Sequence, residues 1–409
     1  MVSYPVFDEL DPDTRLVLVQ YGCYAEAAER FARGGEETYY AQRYTVDFVA
    51  ELAKRIRRVT VIAYGSTYPL RRLDNGVYVA GHELHPADGG GISRHVALVR
   101  LVARERPTHA AIACPEVPIL AWALAQPMRT VAIFADSFTK TGYRARLRYR
   151  VLARLLNSRR YAWVSNHNLA ASLDLARIGV ARDKIVPFDW PAQVTPRDHP
   201  PKTLRAGGTI RLIYVGLQTV DKGVGDAIDA VADLRSEGRD ARLTLVGPVN
   251  HAFVARVAQR GLTEFVTFVG RQPHARVFDL MHQHDVVVVP SRHAYPEGLP
   301  MTLYEGLCSR SPVVFSDHPM FRFKMRDGET GLEFKAGSSR GLSRAVARLM
   351  DDPELYAQLS RRADEAIVGY LCPVKWDRVL AALLSTQLAT RRGLADYSLA
   401  SGKYGSLPA

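Results

Sequence analysis

Cysteine is scarce in this sequence, and its cysteines are widely spaced. The 409 residues include four cysteines, at positions 23, 114, 308 and 372, and none forms a CxxC pair. Zinc sites and disulfide frameworks depend on closely spaced or numerous cysteines, so neither is indicated. Because thiols stay reduced in the cytoplasm, we expect a cytoplasmic protein.

Long uninterrupted hydrophobic runs are also missing. The most apolar stretch, 109–126, contains Pro115, Glu116 and Pro118, whereas a membrane-spanning helix needs about 20 apolar residues. The opening residues, MVSYPVFDELDPDT, have no basic segment followed by an apolar core, the pattern of a signal peptide. We therefore expect any contact with a membrane to be peripheral.

Acidic residues are fewer than basic ones. The chain has 54 lysines and arginines against 42 aspartates and glutamates, a net charge of +12. Such an excess favours an anionic partner: a nucleotide, a phosphorylated sugar, nucleic acid or a membrane surface. Nucleic acid fits poorly, because no recognition motif and no strand with interleaved aromatic residues accompanies the charge.

Short apolar runs, many of them β-branched, recur along the chain with helical patterns between them. Such runs are typical of buried parallel strands in α/β proteins. The predicted strands are 16–21, 59–64, 109–114, 130–134, 161–165, 211–215, 242–246, 266–269, 285–289 and 312–315. A proline-rich stretch at 187–208 indicates a linker. We predict doubly wound domains at 1–190 and 191–372. A helix in 373–409 is expected to return to the first domain and to precede a frayed tail.

Two glutamates follow the predicted strand 285–289, at the strand end where open parallel sheets bind ligands. Glu297 lies in the following loop, and Glu305 lies eight residues later on the next helix. The amides of Met301 and Thr302 would be unpaired donors at the start of that helix, where the helix dipole favours a phosphate. Taken alone, the two glutamates have a purely structural alternative, in which Glu297 is a loop residue and Glu305 a solvated residue of the helix.

In context, this pair resembles the signature of the retaining GT-B glycosyltransferases of family 4. Other segments resemble the family in the same order along the chain. They are Val215-Gly216 with Lys222-Gly223, LTLVGP (243–248), VTFVGRQPHARVFDLMHQHDVVVVPS (266–291), SPVVFSD (311–317) and DGETGLEF (327–334). In the first half, the weaker resemblance rests on 34–52 and 164–173. The ordered set is more specific than any single segment.

The resemblance implies a fold and a donor site. The fold would be α/β and GT-B, with two Rossmann-like doubly wound domains facing each other across a cleft. The implied donor-binding residues are Gly34, Gly35, Gly216, Lys222, Ser291, Glu297, Gly298, Met301, Thr302 and Glu305. Glu305 would bind the ribose hydroxyls, Glu297 a hydroxyl of the donor hexose, and Lys222 the diphosphate. Gly34 and Gly35, at a helix N-terminus, would let the backbone approach the diphosphate. An ordinary turn and a solvated lysine are the alternatives for the glycine pair and for Lys222.

The same resemblance implies a reaction. A hexose would move from a nucleotide diphosphate sugar to a hydroxyl acceptor with retention. The acceptor would be a glycan or a lipid-linked molecule in cell-surface polysaccharide biosynthesis. Lys222 and the helix start would stabilise the departing diphosphate without a metal, so we expect no cofactor and no metal ion. The one Asp-x-Asp motif, at 11–13, precedes the first strand and is interpreted as structural.

One departure from the family pattern removes a positive charge. The family usually has an arginine after the glycine equivalent to Gly216, and this sequence has Leu217. A buried diphosphate that lacks charge compensation is costly. Arg292, Arg322 and Lys324 are candidates to supply the missing cation.

A second departure concerns the loop after the predicted strand 130–134. The family commonly has a histidine there, and this sequence has Asp136. Asp136 joins Glu297 and Lys222 as a catalytic candidate, since it would bind a sugar or accept the acceptor's proton. It also fits a loop or helix-cap aspartate. The alternatives to an active transferase are a catalytically impaired GT-B nucleotide-sugar-binding protein and another GT-B enzyme, such as an epimerase or phosphorylase.

The segment 140–160 carries eight basic residues and no acidic one. Leu147, Val151 and Leu155 recur every four residues, so they share one side of a predicted helix with arginines around them. This resembles the basic helix by which such enzymes touch anionic membranes at the inner face. The contact residues would be Arg144, Arg148 and Arg154. An arginine-rich surface helix is an equal alternative.

Overall fold

The computed structural model resolves the chain into two compact units. It describes residues 9–38, 41–83, 92–191, 194–204, 208–295, 297, 300–322, 325–368 and 371–404, without the side chains of Ile92, Arg322 and Val368. The first unit comprises the described residues of Met1–Glu36, Ala41–Pro191 and Cys372–Ala409, and the second comprises those of Glu37–Tyr40 and Ala192–Leu371.

The first unit is built on a largely parallel sheet. Its strands are β1 (Arg15–Gln20), β2 (Arg58–Ala63), β3 (Tyr68–Arg72), β4 (Tyr78–Gly81), β5 (His109–Ile112), β6 (Arg129–Phe134), β7 (Tyr161–His167) and β8 (Ile185–Phe188). Their order is β3-β4-β2-β1-β5-β6-β7-β8, and only the β3–β4 pair among them is antiparallel. The helices between them are α1 (Tyr24–Ala32), α2 (Gln42–Ala53), α3 (Ile92–Arg104), α4 (Val117–Leu124), α5 (Tyr143–Leu156) and α6 (Leu169–Arg177).

The second unit contains a parallel sheet in the described residues. Its strands are β9 (Ile210–Val215), β10 (Ala241–Val246), β11 (Val266–Gly270), β12 (Val286–Val289), β13 (Val313–Ser316) and β14 (Leu332–Phe334). They run in the order β11-β10-β9-β12-β13-β14. The helices are α7 (Val224–Ser236), α8 (His251–Gln259), α9 (His274–Gln283), α10 (Met301–Cys308), α11 (Pro319–Arg322), α12 (Ser339–Asp351) and α13 (Pro353–Val368).

The last helices belong to the first unit. They are α14 (Trp376–Leu384) and α15 (Leu388–Gly393). The ring of Trp376 packs edge-on against Phe48 of α2, with centroids 5.9 Å apart. The following segment differs from the frayed tail that we expected, because Leu399 is buried and its amide donates to the Ile185 carbonyl of β8 at 2.9 Å. Residues 405–409 lie outside the described part of the chain.

The structure confirms the α/β class. All ten predicted strands are present, and they belong to the two largely parallel sheets. Apolar runs are typical of parallel strands, which is why the sequence pattern found them. The sequence pattern missed β3, β4, β8 and β14. Of these, β3 is an exposed edge strand with the polar sequence YPLRR. Strand β8 overlaps the start of the predicted linker, so the linker was predicted to begin too early.

Candidate active site

Lys222, Ser291 and Glu297 form a cluster at the carboxyl edge of the second sheet. Lys222 lies between β9 and α7, and Ser291 lies just after β12. Lys222 Nζ is ion-paired with Glu297 Oε1, and Ser291 Oγ donates to the same oxygen at 2.6 Å. Glu297 is only 5% exposed. A buried carboxylate is costly unless it is paired and hydrogen-bonded, and this one is both.

Backbone contacts fix the lysine loop against the end of β12. Gly223 has a φ of +71°, and a Cβ atom there would lie 2.0 Å from the Pro290 carbonyl oxygen. Only glycine fits both the conformation and the space. Beyond the strand, the Arg292 amide donates to the Asp221 carbonyl at 2.8 Å. These contacts hold Lys222 beside the loop that carries Ser291.

Gly216, an implied donor-binding residue, lies at a close approach of two strand ends. Its φ is +146°, and its amide donates to the Val246 carbonyl at 3.0 Å. A Cβ atom on Gly247 would lie 2.0 Å from the Gly216 carbonyl oxygen. Sequence reasoning did not single out Gly247, although it lies in the quoted LTLVGP segment.

The position after Gly216 carries no positive charge. Leu217 is 50% exposed, and its carbonyl accepts a hydrogen bond from the Tyr214 hydroxyl at 2.6 Å. Arg292, a candidate substitute, is bound at two points to the buried Asp226, at 3.0 and 2.6 Å. That hydrogen bonding raises the pKa of the Arg292 guanidinium. The other candidates, the Arg322 side chain and Lys324, lie outside the described residues.

Glu305 lies in α10 and is 6% exposed. Its Oε1 is 2.8 Å from His274 Nε2, on the first residue of α9. Burial lowers the pKa of His274, but the hydrogen bond and charge of Glu305 outweigh it, so the pKa is raised overall. The raised pKa favours the positively charged form of His274. Sequence reasoning missed His274, although its place just after β11 was a usable signal.

The remaining donor-site residues of this unit surround the start of α10. Pro300 occupies the N-cap position, and Met301 and Thr302 begin the helix. Amides of a first helical turn have no carbonyl partner within the helix, so they are available to an anion. Gly298, also expected to bind the donor, lies outside the described residues.

Gly34 and Gly35 end a helix, which corrects the expectation that they begin one. Gly34 has a φ of +77° just after α1, and the Gly35 amide donates to the Arg30 carbonyl of that helix at 2.9 Å. A Cβ atom on Gly35 would lie 2.5 Å from Arg30 Cγ. This is the usual use of glycine at a helix C-terminus. A donor-binding role for the pair stays a prediction.

Asp136 lies two residues after β6 in the first unit. Its backbone is held by Asn166, whose Oδ1 accepts from the Asp136 amide at 3.3 Å and whose Nδ2 donates to the Asp136 carbonyl at 2.9 Å. The Tyr21 hydroxyl donates to Asp136 Oδ1 at 3.2 Å. Burial raises the pKa of Asp136 to about 6. A carboxyl group with such a pKa can change protonation near neutral pH.

The basic segment forms α5, which buries one face and exposes another. Leu152, Ala153 and Leu156 are buried, whereas Tyr143 and Leu147 are exposed. The sequence placed Leu147 and Leu155 on one side, but Leu155 is half-buried. The solvent-exposed side of α5 therefore includes Tyr143 and Leu147.

The expected membrane-contact arginines differ in their surroundings. Arg144 and Arg154 are exposed. Arg148 instead donates to Glu116 Oε1 at 3.0 Å and to the Pro115 carbonyl at 3.1 Å. Its guanidinium is therefore partly engaged within the chain. No helix in the described part of the chain has the length and apolar character needed to cross a bilayer.

Solved structures of similar architecture define the class. HepE from Anabaena, solved in complex with UDP, matches 93% of this chain and 98% of its own, with 14% identity and a TM-score of 0.60. Sucrose-phosphate synthase from Thermosynechococcus elongatus matches 90% of this chain and 96% of its own, with 17% identity and a TM-score of 0.63. The chain has the GT-B fold, with two Rossmann-like domains.

Sequence comparison matches part of the chain to a known family. Residues 197–366, which lie in the second unit, match the family described as Glycosyl transferases group 1. Glycogen synthase from Mycobacterium tuberculosis is 31% identical over 221 residues, 54% of this chain and 50% of the relative. Alpha-D-kanosaminyltransferase from Streptomyces kanamyceticus is 31% identical over 154 residues, 37% of this chain and 39% of the relative. The chain thus spans about half, or less, of the length of these relatives.

Proposed function

We propose that the protein is a retaining glycosyltransferase that moves a hexose from a nucleotide diphosphate sugar to a hydroxyl acceptor. The observation that carries the proposal is the buried cluster of Lys222, Ser291 and Glu297. It lies at the carboxyl edge of a parallel sheet, where such sheets bind ligands. Glu297 lies four positions before the first residue of α10, and all three residues lie within the segment that matches the group 1 family.

Lys222 has the chemistry to bind the departing diphosphate. An ammonium group has three N–H donors, and Glu297 uses one of them here. The ammonium also lies 4.3 Å from the centroid of the Tyr295 ring. We propose that its other N–H groups bind phosphate oxygens, together with the first amides of α10. Negative charge grows on the leaving group as the glycosidic bond breaks, and a fixed cation and helix start stabilise it. On this basis we propose that the reaction needs no metal ion and no cofactor.

Glu305 is proposed to bind the ribose of the donor. Both oxygens of a carboxylate accept hydrogen bonds, and His274 contacts one of them. The other can accept from a ribose hydroxyl. His274 would then act as a positioning residue, because its hydrogen bond orients the carboxylate. Glu297 is proposed to accept a hydrogen bond from a hydroxyl of the donor hexose.

The comparisons support a sugar nucleotide as donor. HepE was solved with UDP and, in another structure, with UDP-glucose. The relatives include 2-deoxystreptamine glucosyltransferase from Streptomyces kanamyceticus and phosphatidyl-myo-inositol mannosyltransferase from Mycobacterium leprae. We extend the proposal to a glycan or lipid-linked acceptor in cell-surface polysaccharide biosynthesis, at the cytoplasmic face of the membrane.

The exposed side of α5 supports peripheral binding to an anionic membrane. Tyr143 and Leu147 are exposed there, with Arg144 and Arg154 on the same helix. An amphipathic helix of this kind combines apolar insertion with attraction to anionic lipid. Arg148 contributes less to this proposal than the sequence suggested, because Glu116 is within 3.0 Å of it.

One assay separates the proposed function from its alternatives. Purified protein is incubated with radiolabelled UDP-glucose and with GDP-mannose, and the products are resolved by chromatography. A transferase releases the nucleoside diphosphate, with slow hydrolysis when no acceptor is present. A catalytically impaired binding protein binds the donor but leaves it intact. An epimerase converts the donor to a different sugar nucleotide. Phosphate-dependent formation of a sugar phosphate would indicate a phosphorylase.

A further inference from the structure

A cavity of about 490 Å³ lies at the amino edge of the first sheet, where its parallel strands begin. Its lining includes Thr108 and His109 at the start of β5, Arg129 at the start of β6, Arg160 just before β7, and Asp11 before β1. These strands are neighbours in the sheet order β1-β5-β6-β7 and run parallel. Residues from separate segments of the chain therefore meet at this cavity.

The cavity is at the opposite edge from the one where open parallel sheets bind ligands. Strand β6 begins with Arg129, in the cavity wall, and ends with Phe134, two residues before Asp136. At about 3.3 Å per residue, this strand separates the two edges by about 17 Å. A small molecule in the cavity would therefore not contact Asp136, the catalytic candidate of the first unit.

Arginine side chains give the cavity an excess of positive charge. Arg129 and Arg160 line it, and Arg391 lies close enough to interact with Arg129. Burial lowers the pKa of the Arg129 guanidinium, the charge of Arg391 lowers it further, and the charge of Asp11 opposes them. Like charges that are held together repel one another, and a bound anion would relieve that repulsion.

The hydrogen bonds of these arginines leave most of their donors available. A guanidinium group has five N–H donors in a planar fork. Within the described residues the three groups donate to backbone carbonyls and not to carboxylates: Arg129 to Ser385 at 3.2 Å, Arg160 to Gln126 at 3.4 Å and Arg391 to Thr386 at 3.3 Å. Their positive charges are therefore not neutralised by ion pairs in that part of the chain.

His109 contributes an uncharged wall to the cavity. It is 8% exposed, and its Nδ1 lies 2.9 Å from Thr108 Oγ1. Burial and the charges of Arg129 and Arg391 lower the pKa of His109 to about 4, against the opposing charge of Asp11. The ring is therefore neutral at pH 7. Because it interacts with the charged groups around it, its NMR signals should report an anion that binds beside them.

A phosphate ester that carries hydroxyl groups fits the cavity better than a bare anion. The planar guanidinium groups of Arg129 and Arg160 match the geometry of phosphate oxygens. Asp11 would repel a second anionic group, but its carboxylate accepts hydrogen bonds from hydroxyl groups. The volume of about 490 Å³ lies within the range of about 300–1,000 Å³ that is typical of small-molecule pockets.

We infer that this cavity is a second ligand site, in which Arg129 and Arg160 bind the phosphate monoester of a hydroxylated small molecule and Asp11 accepts from its hydroxyl groups. Arg391 adds attraction for the phosphate. The inference goes beyond the proposed transferase function and does not depend on it. All four residues belong to the first unit, and none is among the proposed donor-binding residues.

Phosphorus NMR on the full chain at pH 7 tests the inference. The linewidths of ribose 5-phosphate and inorganic phosphate are measured as protein is added, and we expect the ester to be broadened and to bind more tightly. Arg129→Gln and Arg160→Gln should each weaken its binding about tenfold, because each removes a charge-assisted hydrogen bond. Arg159→Gln is the matched control, since Arg159 is exposed, precedes Arg160 and lies outside the cavity lining. It should bind the ester as the wild type does.

Two further measurements locate the ligand within the cavity. The ring signals of His109, assigned by their loss in His109→Gln, should shift when ribose 5-phosphate is added. Asp11→Asn should reduce the preference for ribose 5-phosphate over inorganic phosphate, because an amide replaces the carboxylate that accepts from the hydroxyl groups.

Each outcome decides the inference. Absence of broadening by the wild-type protein overturns it. Wild-type binding by a double variant, Arg129→Gln with Arg160→Gln, of unchanged circular dichroism places the ester elsewhere and also overturns it. An equal loss in Arg159→Gln would show general attraction to a basic protein, and unmoved His109 signals would place the ester outside the cavity. Equal affinity for the ester and for inorganic phosphate, unchanged in Asp11→Asn, would refute a hydroxylated ligand.

Discussion

Replacement of Lys222 with methionine should affect both turnover and stability. Methionine keeps much of the side-chain length but removes the charge opposite Glu297, whose side chain is 6% exposed. Loss of one fixed group that stabilises a developing charge lowers turnover about 10²–10³-fold. Leu217 provides no second cation in the same strand-end loop, so little remains to compensate for the loss.

The stability effect follows from the burial of the ion pair. Removal of one partner from a buried pair leaves an uncompensated charge and destabilises by about 3–5 kcal/mol. Ser291 Oγ still donates to Glu297 at 2.6 Å, so we expect about 2–3 kcal/mol here. Adding Glu297→Gln removes the unpaired charge. The double variant should regain most of the stability and none of the activity.

The assays are steady-state turnover with the preferred sugar nucleotide and denaturant unfolding monitored by circular dichroism. Lys54→Met is the matched control, because Lys54 pairs with Glu51 at 2.9 Å on an exposed helix face. Exposed pairs contribute less than about 1 kcal/mol, so this variant should unfold and turn over as the wild type does. Near wild-type turnover in Lys222→Met would show that another group binds the diphosphate and would refute our placement of the phosphate site.

Three further predictions concern the nucleotide, the metal and the membrane. Glu305→Ala should weaken nucleotide binding by about 1.5–3 kcal/mol, because it removes a charge-assisted hydrogen bond; calorimetry that gives an unchanged dissociation constant in a folded variant would remove Glu305 from the site. Activity should survive EDTA, because Lys222 and the start of α10 supply the positive charge, and full loss of turnover that Mg²⁺ or Mn²⁺ restores would contradict this. At low salt the protein should sediment with vesicles that contain phosphatidylglycerol but not with phosphatidylcholine vesicles, because each cation near an anionic surface contributes about 1 kcal/mol to binding. Arg144→Glu with Arg154→Glu should release the protein, whereas equal sedimentation with both lipids would leave α5 as an ordinary surface helix.

The amino-acid sequence by itself determined ten of the described strands and the class of fold. Parallel strands covered on both faces are apolar along their whole length, so segments such as 286–289, VVVV, are visible without a structure. An edge strand such as β3 cannot be recognised in this way, because it is exposed to solvent and its sequence is largely polar. The pairing of Glu297 with Glu305 could also be predicted from the sequence, because the two glutamates are only eight residues apart.

Only the tertiary structure decided which charged groups meet. Lys222 and Glu297 are 75 residues apart, and His274 and Glu305 are 31 apart. They contact each other because β9 and β12 are neighbours in the sheet and because α9 and α10 pack together, neither of which follows from local pattern. The same holds for Tyr21 and Asp136, 115 residues apart, which meet where separate strands end at one edge. Contacts of this range depend on strand order, and strand order is a property of the folded chain.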